Sequence, residues 1–142
     1  MQIHRHDDDA STTAPEATFT GDVRIDGYVR RDAPSRLTCA TVVFPPGART
    51  SWKTNPAGQT LVVTSGTGWA QSEGEDVVEV RAGDVVWCEP GRQHWEGATP
   101  GSTMTYVALH EGTVQFLDRV TDEQYRRSRG TAPRGVGPDL AS

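Results

Sequence analysis

Long hydrophobic runs are absent from this sequence. It contains no uninterrupted stretch of about eighteen apolar residues, which excludes a transmembrane helix. Its first residues, Met1-Gln-Ile-His-Arg-His, lack the apolar segment of a secretory signal peptide. We therefore expect a soluble, cytoplasmic protein that has no membrane partner.

Cysteine is scarce, and positive charge is outweighed by negative charge. The two cysteines, Cys39 and Cys88, lie in apolar, strand-like segments, which favours two buried thiols in a reducing compartment over a disulfide. The formal net charge is −5, whereas recognition of phosphates requires a basic face. We therefore expect no nucleic-acid partner and a small molecule as the ligand.

Lysine is the rarest charged residue. The chain has 14 Lys and Arg residues, and Lys53 is the one lysine among them. A bias toward arginine is typical of proteins from high-GC genomes, so the scarcity of lysine alone has no functional meaning. The significance of Lys53 depends on the motif in which it lies.

Short strands dominate the sequence pattern. Six runs rich in valine, threonine and aromatic residues are separated by glycine- and proline-containing turns, such as Ser65–Gly68. The predicted strands are Val23–Val29, Arg36–Phe44, Thr60–Thr64, Val77–Val80, Val85–Cys88 and Met104–Leu109. One helix is predicted at Thr121–Arg127, where Thr121 and Gln124 can form a capping box. The pattern predicts an all-β sandwich or barrel with a short C-terminal helix.

The length of 142 residues fits a single domain. We assign residues 1–18 to an N-terminal arm, whose start at Gln2–Arg5 is either a solvated segment or an edge strand, followed by a flexible segment. Residues 19–129 form the domain. Residues 130–142 are rich in glycine and proline and are predicted to be a flexible tail.

Two segments punctuated by glycine resemble the two sequence motifs of the cupin superfamily. In the first family motif, a glycine precedes His-x-His, then Glu, then a second glycine. The corresponding positions are Gly47, Lys53, Asn55, Gln59 and Gly66. In the second family motif, a glycine precedes Pro-x-Gly and then His. The corresponding positions are Gly83, Glu89, Gly91 and His94. The resemblance implies a cupin barrel, which is a double-stranded β-helix or jelly roll.

A closer resemblance extends over nearly the whole domain. It includes Phe44-Pro-Pro-Gly-Ala-Arg-Thr-Ser-Trp and His94-Trp-Glu-Gly-Ala-Thr-Pro. These segments are similar to the small bacterial cupins that include the manganese-dependent hydroxynitrile lyases. That family implies a homodimer of barrels, each of which holds a metal through three histidines and a glutamine.

The resemblance also implies that the metal site of this chain is degenerate. Gln59 and His94 match family ligands, but Lys53 and Asn55 stand where two ligand histidines belong. Two further pocket histidines of the family are replaced by Glu96 and Tyr106. The spacing of the motifs is therefore kept while most of the ligands have changed.

Strand alternation assigns the changed residues to the barrel interior. Lys53 and Asn55 share one face of their segment, and His94 and Glu96 share a face opposite Trp95. We predict that the catalytic residues are Lys53, Glu96, His94 and Tyr106. We predict that the substrate-binding residues are Asn55, Gln59, Met104 and His110.

A protonated lysine has no lone pair and would repel a divalent ion, so we expect no metal and no other cofactor. Lys53 would instead pair with Glu96 and supply the positive charge itself. If a manganese, iron or zinc ion is retained, its ligands would be Asn55, Gln59, His94 and Glu96.

The leading functional hypothesis is a metal-independent enzyme of specialised metabolism. It would move protons on a small, apolar metabolite, of polyketide type for example, in a cyclisation, isomerisation or lyase reaction. One alternative is a metal-dependent, hydroxynitrile-lyase-like C–C lyase, and another is a non-catalytic ligand-binding cupin. Burial lowers the pKa of a lysine and a nearby carboxylate raises it, so an inert ion pair also remains open.

Overall fold

The computed structural model describes residues 1–5 and 11–128. These residues form twelve strands and one short helix. The strands are β1 (Thr12–Thr13), β2 (Phe19–Thr20), β3 (Arg24–Arg30), β4 (Leu37–Phe44), β5 (Arg49–Thr50), β6 (Lys53–Thr54), β7 (Gln59–Ser72), β8 (Val78–Arg81), β9 (Val85–Cys88), β10 (His94–Ala98), β11 (Met104–Glu111) and β12 (Gln115–Phe116), and the helix is α1 (Asp122–Arg126). No helix in the described ranges is long and apolar enough to cross a membrane.

All twelve strands belong to one sheet that curls around its inner face. The main strand order is β1-β3-β4-β11-β7-β10-β5-β2, with β8 and β9 on β7, β6 on β10 and β12 on β6. Neighbouring strands are antiparallel throughout the core, as between β4 and β11 and between β11 and β7. The prediction of an all-β jelly roll with a short C-terminal helix is confirmed.

The long strand β7 joins the two halves of the barrel. Its first part pairs with β11 and β9, and its second part pairs with β8 and β10. The predicted turn at Ser65–Gly68 is wrong, because the strand continues through both glycines. Gly66 has φ +78°, and a Cβ atom there would lie 1.7 Å from the Thr103 carbonyl oxygen. A side chain at this bend is therefore excluded.

The other predicted elements agree with the structure to within a few residues at their ends. Thr121 is the N-cap of α1 and forms the predicted capping box with Gln124. Of the two alternatives at Gln2–Arg5, the structure shows the solvated one: residues 1–5 are exposed and form no strand. The arm contributes Thr12–Thr13 to the sheet instead. The predicted flexible tail, 130–142, lies outside the described residues.

The barrel interior is apolar around Phe44, Leu61 and Met104, which are almost completely buried. The Tyr106 ring joins this core and packs 5.2 Å from the Phe44 ring, centroid to centroid. A second apolar cluster covers the opposite face of β10. It consists of Val77, Trp95, Val120 and Tyr125, with Trp52 and Trp69 packed against it. The two clusters hold β10 between them and so fix the inward direction of Glu96.

Candidate functional site

The site is built where β6 and β10 run side by side. Lys53 and His94 are paired residues of these antiparallel strands. Alternation along β10 then places Glu96 on the same inner face as His94, while Trp95 packs into the cluster outside. Because Lys53, His94 and Glu96 are 3% exposed or less, the sheet register brings three ionisable groups into the protein interior.

Lys53 and Glu96 form a buried ion pair. The Lys53 Nζ donates to Glu96 Oε1, and the Tyr106 hydroxyl donates to the same oxygen at 2.8 Å. Burial alone would raise the pKa of Glu96, but the Lys53 ammonium and the two hydrogen bonds outweigh it and hold this pKa below its usual range. Burial raises the pKa of Tyr106 well above its ordinary value, so its hydroxyl remains a neutral donor. The Lys53–Glu96 pair therefore has no net charge.

His94 presents an unprotonated nitrogen to this pair. Its Nδ1 lies 3.0 Å from the Arg92 carbonyl oxygen, which can only accept a hydrogen bond, so we assign the ring proton to Nδ1. Burial lowers the pKa of His94 despite the opposing charge of Glu96, which keeps the ring neutral. With the ring proton on Nδ1, Nε2 carries the lone pair and lies 3.4 Å from the Gln59 side-chain amide and 3.8 Å from Glu96 Oε2. It accepts a hydrogen bond from Gln59 when the amide nitrogen, and not the oxygen, faces the ring.

Several buried polar atoms at the site have no partner among the described residues. Glu96 Oε2 is one, and both side-chain polar atoms of Asn55 are others. Asn55 is 0% exposed and Glu96 is 1% exposed, so the surrounding solvent does not satisfy these atoms. Because buried polar groups normally find a partner, each of these atoms can bind a small polar ligand or an internal water.

Cys88 belongs to the site, although sequence reasoning treated it as an inert buried thiol. It is a free cysteine that pairs with Gln59 across β7 and β9, and its side chain points inward. Its sulfur and one ligand atom each from His94 and Glu96 lie within 4.8 Å of one another. Burial, followed by the charge of Glu96, raises the pKa of the thiol to about 12. The signal that could have identified it is alternation, since Cys88 faces inward and Trp87 outward.

The predicted site residues fall into two groups. Lys53, Glu96, Tyr106, His94 and Gln59 are connected through hydrogen bonds and close contacts. The other three predicted residues are buried or lie at the edge of the interior without a hydrogen bond to this network. They are Asn55, Met104 and His110.

The positions of Met104 and His110 explain why they form no hydrogen bond with this network. Met104 is fully buried at the start of β11, where its sulfur would lie 2.1 Å from a Cβ at Gly68, so it packs in the apolar core. His110, at the other end of β11, is partly exposed and its Nδ1 donates to the Gly112 carbonyl at 3.2 Å. Burial lowers the pKa of His110, and its pairing with Gln59 across β11 and β7 places it beside the site.

The fold and its buried polar interior define a small jelly-roll protein of the type that carries a ligand site inside one barrel. A family model described as a cupin domain matches residues 40–110. The (R)-mandelonitrile lyase of Granulicella tundricola is 50% identical over 131 residues, covering 89% of this chain and 100% of that protein. The chain belongs to the cupin family.

Solved structures agree with this assignment. A cupin-like protein from Thermotoga maritima has 33% sequence identity and a TM-score of 0.79, covering 84% of this chain and 94% of that one. A polyketide cyclase from Streptomyces resistomycificus has a TM-score of 0.70 and covers 91% of this chain and 93% of that one. At 14% identity, the cyclase shows the shared fold alone.

Cupins commonly bind a metal, and Cys88, His94 and Glu96 offer a possible site, but the Lys53 ammonium opposes a divalent ion there. The Lys53 ammonium already occupies Glu96 Oε1, and the pair is neutral. A divalent ion beside Glu96 and His94 would leave uncompensated positive charge inside the protein even with a Cys88 thiolate, because the ion and Lys53 carry three positive charges against two negative ones. Burying unpaired charge is strongly unfavourable, and the ammonium would repel the ion directly.

Proposed function

We propose that this cupin is a metal-independent acid–base enzyme that acts on a small, uncharged, largely apolar metabolite. The observation that carries the proposal is the neutral Lys53–Glu96 pair beside the bare Nε2 of His94. An ion pair without net charge favours an uncharged substrate, because a charged one would be buried without a counterion. Among cyclisation, isomerisation and lyase chemistry, the 50% identity to a mandelonitrile lyase favours the lyase class.

His94 is the proposed base. In a cyanohydrin-type cleavage, its Nε2 would accept the hydroxyl proton of the substrate while the carbonyl forms. The electron pair of the broken C–C bond would leave with cyanide, which would then take the proton back from His94. A positioned base of this kind accelerates a reaction by about 10²–10⁴-fold.

Lys53 is the proposed source of electrostatic stabilisation, and Tyr106 positions Glu96 through its hydrogen bond. An ammonium has three hydrogens, and Glu96 is the hydrogen-bond partner of Lys53 among the described residues. The remaining hydrogens could therefore stabilise a developing anion. The loss of one such donor typically costs about 10²–10³ in kcat. Asn55 would bind the substrate through its two unpaired polar atoms.

The second candidate function is a metal-dependent lyase of the same reaction class. The observation that favours it is the close grouping of Cys88, His94 and Glu96, all of which are metal-ligand types. The two candidates differ in one measurable property, because only the second requires a stoichiometric metal.

The test uses mandelonitrile as the probe substrate and follows cyanide release. Purified protein would be analysed for total metal and assayed before and after chelation. We expect less than stoichiometric metal and chelator-resistant turnover. His94→Gln and Lys53→Met should each lower kcat/KM by about 10²-fold or more, whereas Glu79→Gln, in an exposed ion pair, should have no effect.

Each alternative function predicts a different outcome of these assays. Stoichiometric metal together with loss of turnover on chelation would favour the metal-dependent lyase. Tight binding of mandelonitrile without conversion would favour a ligand-binding cupin. Full activity of Lys53→Met would remove the lysine from the mechanism.

We also propose that the outer face of the sheet is buried in a homodimer. Val85 and Trp87 of β9 are 66% and 58% exposed, and their neighbours on β7, Thr60 and Val62, are uncharged. Such an uncharged patch is self-complementary and fits a second copy of this chain. Sedimentation analysis should give a dimer, and Trp87→Glu should give a monomer. A monomeric wild-type protein at micromolar concentration would contradict the proposal.

A further inference from the structure

Three buried side chains at the site offer one metal-ligand atom each. The Cys88 sulfur, a His94 ring nitrogen and a Glu96 carboxylate oxygen lie within 4.8 Å of one another. Cysteine, histidine and glutamate are all zinc ligands, and a three-ligand set is typical of sites that keep an open position. The mechanism proposed above makes no use of Cys88.

Two independent observations point to an ion at this place. Glu96 Oε2 is buried and unpaired, although Glu96 Oε1 receives both Lys53 and Tyr106. The His94 proton is assigned to Nδ1, where the Arg92 carbonyl accepts it, so Nε2 carries the lone pair and lies 3.8 Å from Glu96 Oε2 and 3.4 Å from the Gln59 amide. A fixed imidazole tautomer of this kind orients the other nitrogen toward a metal.

The charges at the site explain why the ion and Lys53 exclude each other. With protonated Lys53, ionised Glu96 and neutral Cys88, the group is neutral. A divalent ion with a Cys88 thiolate and the Glu96 carboxylate is also neutral, but only if Lys53 carries no charge. With both cations present, the interior would keep one uncompensated positive charge, which is costly.

We propose that Cys88, His94 and Glu96 form a site for a thiophilic divalent cation such as Zn²⁺, and that the Lys53 ammonium keeps this site closed. Removal of the lysine charge opens it. On binding, the Cys88 S–H bond breaks, its proton goes to solvent and a sulfur–metal bond forms, with no change of oxidation state. This inference rests on the proposed metal-independent function of the wild-type protein.

A thiolate ligand predicts how an open site would behave. Because one proton is released for each ion bound, the affinity of a lysine-free variant should rise with pH.

The experiment measures binding of Zn²⁺ and Co²⁺ to the full chain by equilibrium dialysis and absorbance. Lys53→Met should bind about one ion per chain, with a Kd at least about 100-fold lower than that of the wild-type protein. Its Co²⁺ complex should show a thiolate-to-cobalt charge-transfer band. Lys53→Gln, which keeps a neutral donor for Glu96, provides a second variant if the methionine protein does not fold.

Cys39 provides a matched control for the role of Cys88 in metal binding. In the Lys53→Met background, Cys88→Ala should abolish the charge-transfer band and weaken binding, whereas Cys39→Ala should retain both. Cys39 is a free, only partly buried cysteine, so it tests for adventitious binding by a thiol. Persistence of the band in Lys53→Met/Cys88→Ala would overturn the proposed ligand set.

Failure of this inference is distinguishable from failure of the proposed function. If folded Lys53→Met and Lys53→Gln bind no more metal than a metal-free wild-type protein, the closed site is wrong and the metal-independent function is unaffected. If the wild-type protein itself binds one ion tightly, Lys53 does not exclude the metal and both proposals are wrong.

Discussion

Lys53→Met tests the physical account of the site through stability as well as activity. The change leaves the Glu96 carboxylate buried at 1% exposure without its cationic partner, and within residues 1–5 and 11–128 Tyr106 remains as its hydrogen-bond donor. Removal of one member of a buried ion pair costs about 3–5 kcal/mol. A domain of this size has a free energy of unfolding of about 5–15 kcal/mol, so the variant should fold. The expected fall in Tm is roughly 10–20 °C.

Urea denaturation at pH 7 measures how much the free energy of unfolding falls in Lys53→Met. A double-mutant cycle shows whether the loss of the ion pair with Glu96 causes that fall. Glu96→Gln keeps an oxygen that can accept the Tyr106 hydrogen bond but removes the charge. Lys53→Met/Glu96→Gln should therefore recover much of the stability, with a coupling free energy of about 2 kcal/mol. A matched control is Arg127→Met, which breaks an exposed pair with Glu123 and should cost less than about 1 kcal/mol.

The pH dependence of stability provides a second test of the buried ion pair. In acid, Glu96 is neutral in the unfolded chain and becomes neutral in the folded variant, so the difference between Lys53→Met and the wild-type protein should shrink as the pH falls. A Lys53→Met protein as stable as the wild-type protein at pH 7, or effects of Lys53→Met and Glu96→Gln that simply add, would refute the buried ion pair.

Three more predictions follow from the same geometry. Tyr106→Phe removes a donor to the Glu96 carboxylate and should lower the free energy of unfolding by about 1.5–3 kcal/mol in urea titrations; no change would contradict that hydrogen bond. The folded-state pKa values of His94 and Glu96 are both lowered, so the unfolded chain binds more protons in acid. The stability should therefore be complete above about pH 6.5 and decline as the pH falls through each folded pKa, and His94→Gln should flatten the upper part of this decline in thermal scans. Gly66→Ala should destabilise the protein far more than Gly74→Ala, because a Cβ at Gly66 meets the Thr103 carbonyl whereas one at Gly74 meets nothing within 4 Å; equal Tm values would refute this.

The sequence pattern was sufficient for the architecture because its signals are local. Alternating valines and threonines between glycine turns indicate short strands, and Thr121 with Gln124 indicates a capped helix, which the structure shows. A turn was wrongly predicted at Ser65–Gly68. Glycine is typical of turns, but it is equally typical of a strand that another segment approaches closely. That distinction depends on Thr103, which is distant in sequence.

The candidate site, too, was predicted in part from local sequence and depended in part on the tertiary structure. The alternation of side chains was enough to place Lys53 with Asn55, and His94 with Glu96, on inward faces, because alternation is a property of the single strand. Contact between the two segments depended on the register of β6 on β10, which pairs Lys53 with His94.

Only the tertiary structure decided which atoms interact. The tautomer of His94 follows from the Arg92 carbonyl, and the unpaired Glu96 oxygen follows from Lys53 and Tyr106 sharing the other one. Cys88 became part of the site only when β9 paired with β7 and turned its sulfur toward His94 and Glu96. The sequence by itself determined the barrel and the presence of a single lysine within it. The packing of strands far apart in the chain determined that this lysine neutralises Glu96, because charge compensation depends on distances that no local pattern encodes.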